Sequence, residues 1–169
     1  VPVYPEEDCG LAEVWEALRL EGDVRAPRLM NRKTGEDFTE RVGSWARQKA
    51  KMLEGEDLCG FVFKSRSPIS GMERVPVHAK DGSRRKDGVG LFASILADHF
   101  PLLPVEEDGR LHDPGLRENF IERVFVFKRW REMLAAGGKI AHLVGFHTRH
   151  KLLLMAHSPK HSQSLGKLV

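Results

Sequence analysis

Cysteine is scarce in this chain: its 169 residues carry two, Cys9 and Cys59. Two thiols cannot build a disulfide framework, and zinc-type cysteine pairs are absent. Long apolar runs are missing as well. The longest, Leu152 to Ala156, falls far short of the roughly 20 residues that a membrane-spanning helix needs. The first residues lack the charged-then-apolar pattern of a secretory leader, so a reducing cytoplasm is the expected compartment and no membrane partner is expected. A surplus of one charge sign is lacking too. Lys and Arg number 27 against 24 Asp and Glu, leaving a net charge of +3. That balance permits an anionic small-molecule substrate but supplies no concentrated basic face, so a nucleic-acid partner is not expected. Internal repeats, low-complexity tracts, a Gly-x-Ser-x-Gly elbow and a phosphate-binding P-loop are absent.

What is present is an ordinary globular mixture. Apolar residues make up 41% and charged residues 30%, which supports a hydrophobic core and argues against a disordered chain. The length suits one domain and part of another. The chain opens without Met on Val1-Pro2-Val3-Tyr4-Pro5 and stops at Leu168-Val169 inside an apolar-periodic pattern. Both ends therefore read as interruptions of a longer chain.

Strand and helix patterns alternate through the first three-quarters. A strand is expected over residues 1–4, ending at Pro5, and a loop over residues 22–33. Phe38, Val42, Trp45, Ala46, Lys49 and Leu53 recur at helical spacing, predicting an amphipathic helix over 35–54 behind a Thr34-Gly35-Glu36-Asp37 cap. Cys59 to Phe63 reads as a buried strand, with Cys59 one of its packed residues, and Lys64 to Gly71 as a polar loop. Val75 to His78 reads as an edge segment because Pro76 cannot donate to a ladder. Ala79 to Lys86 reads as solvated loop, 89–99 as helix, and Leu102 to Val105 as strand. Long helices are expected over 113–136 and 139–157, separated by Gly137-Gly138 and ended by Pro159. The expected fold is α/β: a mostly parallel, Rossmann-like sheet flanked by helices, followed by an all-α C-terminal segment. The expected domains are 1–130 and 131–169.

Two segments carry chemistry. Lys64-Ser65-Arg66-Ser67-Pro68-Ile69-Ser70-Gly71 leaves a strand end, where open α/β sheets bind ligands. Its hydroxyls, Gly71 and two cations, Lys64 and Arg66, can hold an anion or a polar ring; a solvated Ser/Pro turn is the plainer alternative. Glu6, after the first expected strand, would share that rim if the sheet is parallel. A buried carboxylate there can act as a general acid or base. Gly88-Val89-Gly90-Leu91-Phe92-Ala93 formally matches a dinucleotide fingerprint, but a charged loop precedes it, and an ordinary loop-to-helix turn is the better reading. His147, His150 and His157 share one helix stripe with Leu143 and Leu154. Such a stripe is more often packed than metal-bound, and no metal is assigned to it.

Tyr4-Pro5-Glu6 resembles the Cys-Pro-Glu motif of the thiouracil desulfurase (TudS) family, and Ser67-Pro68-Ile69-Ser70-Gly71 resembles its Ser-Pro-Ser-Cys-Gly motif. The likeness continues through Lys64-Ser65-Arg66, Gly71 to Val75, Gly88 to Phe92, Phe100 to Glu107 and Leu116 to Phe125, about residues 1–130 in all. Leu143 to Leu154 and Ala156-His157-Ser158-Pro159 resemble the opening of a YbgA-type helical domain.

The resemblance implies removal of sulfur from 2-thiouracil or a related thiolated pyrimidine through a four-iron four-sulfur cluster held by three cysteines. Glu6 would transfer protons and Ser67 would position the ring. Tyr4 and Ser70 stand where the family places two cluster cysteines, and the third would precede Val1. Hydroxyls are poor substitutes for thiolate on such clusters. Cys9 is near enough in sequence to rescue one ligand through a shifted loop. Two expectations follow: a desulfurase, or a non-catalytic nucleobase-binding or scaffold module of the same fold.

Overall fold

The structure is a computed structural model that describes every residue except Lys80 and Val169. The chain forms two compact units, Val1–Ile121 and Glu122–Val169. None of the described helices is long and apolar enough to cross a membrane.

In the first unit, residues 1–4 do not form the expected strand, and Pro5–Asp8 forms a single helical turn, α1. A hairpin follows, with β1 (Leu18–Asp23) antiparallel to β2 (Ala26–Asn31). The sequence reads as loop here because Gly22, Pro27 and several charges mask the pattern. Only one face of the hairpin is apolar, and on it Leu20 pairs with Leu29, both fully buried. Pro27 is tolerated because β2 is an edge strand.

Helix α2 (Thr39–Leu53) buries Val42, Ala46, Ala50 and Leu53 along one stripe. It starts later than expected. Asp37 accepts the Thr39 amide at 2.9 Å, while Thr34 closes only a local turn with Glu36. Beyond it lie β3 (Phe61–Phe63), β4 (Val75–His78), β5 (Arg84–Gly88), α3 (Leu91–His99) and β6 (Val105–Glu107). Of the expected buried strand, only Phe63 is fully buried. The stretch expected as charged loop becomes β5 from Arg84 onward; Lys80 within it lies outside the described residues.

The main sheet has the order β2-β1-β4-β5, and β3 and β6 form a separate parallel pair. In the main sheet only β1 and β4 run parallel; β1–β2 and β4–β5 are antiparallel. The fold is therefore mixed α/β, not the mostly parallel Rossmann-like sheet expected. Strand–helix alternation implied parallel crossovers, but the hairpins on either side of β1 and β4 were hidden among charged residues. Strand β4 is interior, not an edge. Its ladder to β5 shifts register between Val75 and Val77, and Pro76 sits at that irregularity, where a missing N–H costs little.

The core lies between the main sheet and helices α2 and α3, and it extends to β3. Phe92 of α3 is its hub. The ring meets Trp45 at 5.1 Å, Phe61 at 5.8 Å and Phe63 at 6.1 Å between centroids. The start of α3 is docked against the Pro68–Gly71 loop. The amides of Phe92 and Ala93 donate to the Ile69 carbonyl and that of Leu91 to the Pro68 carbonyl. A β-carbon at Gly90 would lie 2.5 Å from the Ile69 carbonyl oxygen, so only glycine lets the two segments touch.

Helix α4 (Pro114–Ala135) leads into the second unit, whose other helices are α5 (Ile140–His157) and α6 (Pro159–Gly166). Gly137 and Gly138 take φ of 104° and 54° and break the chain between α4 and α5 as the sequence predicts. Pro159 both follows α5 and opens α6, which the sequence did not suggest, with the Ser158 side chain capping the new helix. Trp130 packs edge-on to Phe146 at 5.3 Å.

The Gly90 contact makes a direct prediction. Gly90→Ala forces backbone against backbone and should cost about 1–3 kcal/mol, the usual range for overpacking. Urea unfolding followed by circular dichroism measures this. An unchanged midpoint would show that α3 and the loop can part without penalty.

Candidate functional site

Two cavities meet at α1. The first has a volume of about 490 Å³. Its walls are Tyr4, Glu6, Glu7, Ala12, Trp15, Glu16 and Leu18 on one side of the sequence, and Lys64, Ser65, Arg66, Ser67, Pro68 and Ile69 on the other. The second, of about 470 Å³, shares Tyr4, Glu6 and Lys64 with the first and adds Ser70, Phe61, Phe63 and Phe92 among its lining. The two segments singled out in the sequence thus come together. Glu6 reaches this place from a helical turn, however, and not from a strand tip.

Local chemistry shapes each wall. Ser67 is buried, and its Oγ accepts the amides of Ile69 and Ser70, each at 3.1 Å. Two acceptor positions are thereby used, and the hydroxyl proton is left to donate outward. Arg66 has φ of +62°, a left-handed conformation uncommon for a residue with a side chain. Gly71 lines neither cavity. A β-carbon there would meet Val75 Cγ2 at 2.5 Å and the Ser67 carbonyl at 2.8 Å, so its role is to close the turn.

The charges around the first cavity are mixed. Three carboxylates, Glu6, Glu7 and Glu16, face two cations, Lys64 and Arg66. Together with the aromatic faces of Trp15 and Tyr4, this set suits a flat polar ring with both donors and acceptors better than a polyanion. The start of α3 offers no anion site either, because its first amides already donate to Pro68 and Ile69.

Sequence reasoning missed the acids at the end of β6. Glu107 is buried, and its Oε1 accepts the Met72 amide at 2.7 Å. Asp108 accepts both the amide and the hydroxyl of Ser65, at 2.8 and 2.7 Å. Glu106 is buried against Arg110 at 2.6 Å. Three consecutive acids in a sequence resemble surface charge; the partners of Glu107 and Asp108 are distant in the chain.

The donor set does not fit a cluster held by thiolates. Tyr4 and Ser70 bring hydroxyls to the second cavity, and neither cysteine lines either cavity. Cys9 is buried in the core, and burial, aided by Asp8 and Glu6 and opposed by Arg41, pushes its thiol up to about 11. As a buried, protonated thiol it lines neither of the two cavities. Among the described residues, no group of three or more His, Cys, Asp or Glu side chains is placed to hold a metal ion. In the second unit the histidines diverge. His150 Nδ1 donates to the Phe146 carbonyl at 2.8 Å, His157 pairs with Glu122 at 2.8 Å, and the Nε2 atoms of His147 and His150 are buried without a partner among the described residues.

The two thiols should therefore react very differently. At pH 8 iodoacetamide should modify the partly exposed Cys59 well before Cys9, as read by peptide mass mapping of the folded protein. Equal rates would mean that Cys9 is neither buried nor held as a thiol.

The chain matches the family model described as 2-thiouracil desulfurase over residues 1–108, the segment that contains both walls of the paired cavities. No curated protein and no solved structure matches it. With well over half its length in that match, this chain belongs to the 2-thiouracil desulfurase family.

Proposed function

We propose that the first unit binds 2-thiouracil or a related thiolated pyrimidine in the larger cavity, as a nucleobase-binding module of its family without the family's cluster chemistry. The observation that carries this is the meeting of Glu6 and Ser67 in one cavity of about 490 Å³ that also presents Trp15 and Tyr4. The Glu6 carboxylate accepts a ring N–H. The Ser67 proton is donated to the ring's carbonyl or thiocarbonyl. The aromatic faces stack on the ring.

A second reading keeps the reaction named by the family: removal of the ring sulfur through an iron–sulfur cluster, with Glu6 transferring protons and Ser67 positioning the ring. Family membership and the placement of Glu6 and Ser67 favour it. The hydroxyls at Tyr4 and Ser70 count against it. On either reading, we place the protein in the cytoplasm, where its two unpaired cysteines would remain reduced. We also read the second unit as the start of a YbgA-type helical domain, supported by the run from Leu143 to Leu154.

Anaerobic purification of the full chain separates the two readings. The protein should be colourless, free of stoichiometric iron and acid-labile sulfide, and should bind 2-thiouracil without releasing sulfide. Iron, sulfide and turnover together would replace the first reading by the second. Glu6→Gln should weaken binding about tenfold, since a hydrogen bond to a charged group contributes about 1.5–3 kcal/mol and 1.4 kcal/mol is tenfold. Ser67→Ala should weaken it several-fold. Calorimetric titration with 2-thiouracil measures both, and wild-type protein that does not bind the base would end the proposal.

A further inference from the structure

The wall that carries Lys64 to Ser67 contains a strained residue, and something must hold it. Arg66 has φ of +62°, a left-handed conformation that a residue with a side chain keeps only where its surroundings hold it. On its C-terminal side Ser67 is locked, its Oγ accepting two amides and its carbonyl accepting the Gly71 amide at 2.8 Å. On its N-terminal side the neighbour Ser65 is gripped by the residues that follow β6. Asp108 Oδ1 accepts the Ser65 amide and hydroxyl, and Ser65 Oγ in turn accepts the Gly109 amide at 3.0 Å. These bonds hold the Asp108 carboxyl below the usual carboxylate range, chiefly through the Ser65 hydroxyl. Glu107 holds the far end of the same segment through the Met72 amide.

Gly109 fits this grip closely. Its φ of −64° suits any residue, yet a β-carbon there would lie 2.7 Å from Ser65 Oγ and 3.4 Å from Ser65 Cβ, and no other atom lies within 4 Å outside its immediate chain neighbours. Glycine is needed at 109 for the serine, not for the backbone.

We infer that Asp108 and Gly109 are positioning residues of the cavity: they hold Ser65 so that Arg66 keeps the left-handed backbone that places it in the cavity wall. The inference rests on the reading of this cavity as a thiolated-pyrimidine site. Neither residue lines the cavity; both act through Ser65, which does.

The test uses the full chain and two readouts: amide hydrogen–deuterium exchange over residues 64–67, and calorimetric binding of 2-thiouracil. Asp108→Ala and Gly109→Ala should each speed exchange at 65–67 by tenfold or more and weaken binding several-fold. Asp108→Asn keeps the Oδ1 acceptor and should stay near wild type. Adding Ser65→Ala to Gly109→Ala removes the struck hydroxyl but keeps the backbone bond to Asp108, so exchange at 65–67 in the double variant should recover toward wild type. A merely destabilising change would not be rescued in this way. Unchanged exchange in Gly109→Ala, or no recovery in the double variant, would overturn the inference, even if Asp108→Ala fails to fold. Exchange that behaves as stated in a protein that does not bind 2-thiouracil would uphold the grip and end the binding proposal instead.

Discussion

The site depends on one dock, where the turn from Ser67 to Gly71 meets the start of α3. Helix α3 would otherwise leave its first amides without partners. The carbonyls of Pro68 and Ile69 supply them, and the Gly71 carbonyl accepts the Gly90 amide at 2.8 Å. The contact is possible because position 90 has no side chain, while glycine at 71 lets the turn itself close. One set of bonds therefore caps a helix, seats Phe92 among Trp45, Phe61 and Phe63, and fixes the loop that forms a cavity wall. Ser67 serves both sides of the dock. Its lone pairs hold the turn while its proton remains available to a ligand.

The proposed nucleobase-binding role turns on two positions, Tyr4 and Ser70, that offer oxygen where a cluster would need sulfur. Thiolate is a soft donor suited to iron in iron–sulfur clusters, whereas hydroxyl oxygen is a hard donor that binds such iron poorly. By the resemblance read from the sequence, Tyr4 and Ser70 stand where the family's motifs place cysteines. On the proposed reading, the carboxylate of Glu6 and the hydroxyl of Ser67 are the groups that face a ring. Such a chain would keep the means to recognise a base without the thiolates that bind a cluster.

Helix α2 was legible from the period of its buried stripe, and α4 and α5 from their length and from the breakers Gly137-Gly138 and Pro159. The strands were less so. The β1–β2 hairpin buries Leu18, Leu20 and Leu29 on one face, set among Gly22, Pro27 and charges. The two halves of the site were legible through motif likeness, and their meeting in one cavity followed. The acids at the end of β6 were not, because Glu106, Glu107 and Asp108 have the composition of a surface turn, and only the distant partners of Glu107 and Asp108 reveal that they organise the loop. The same limit applied to Cys9, whose nearness in sequence to Tyr4 said nothing of its burial.

The main sheet ends on two borders, and the chain treats each differently. On β2 one end of the border is covered by residues 36–38, with the Asn31 amide donating to the Glu36 carbonyl and the Phe38 amide to the Leu29 carbonyl, and the other end carries Pro27, which cannot donate to an incoming strand. On β5 it carries Arg84, Arg85 and Lys86, all exposed, whose like charges repel the same border of another molecule. A sheet of four short strands with unprotected rims would invite intermolecular pairing at high concentration. Here both rims carry features that disfavour such pairing, and they include the awkward residues that concealed the strands from pattern reading.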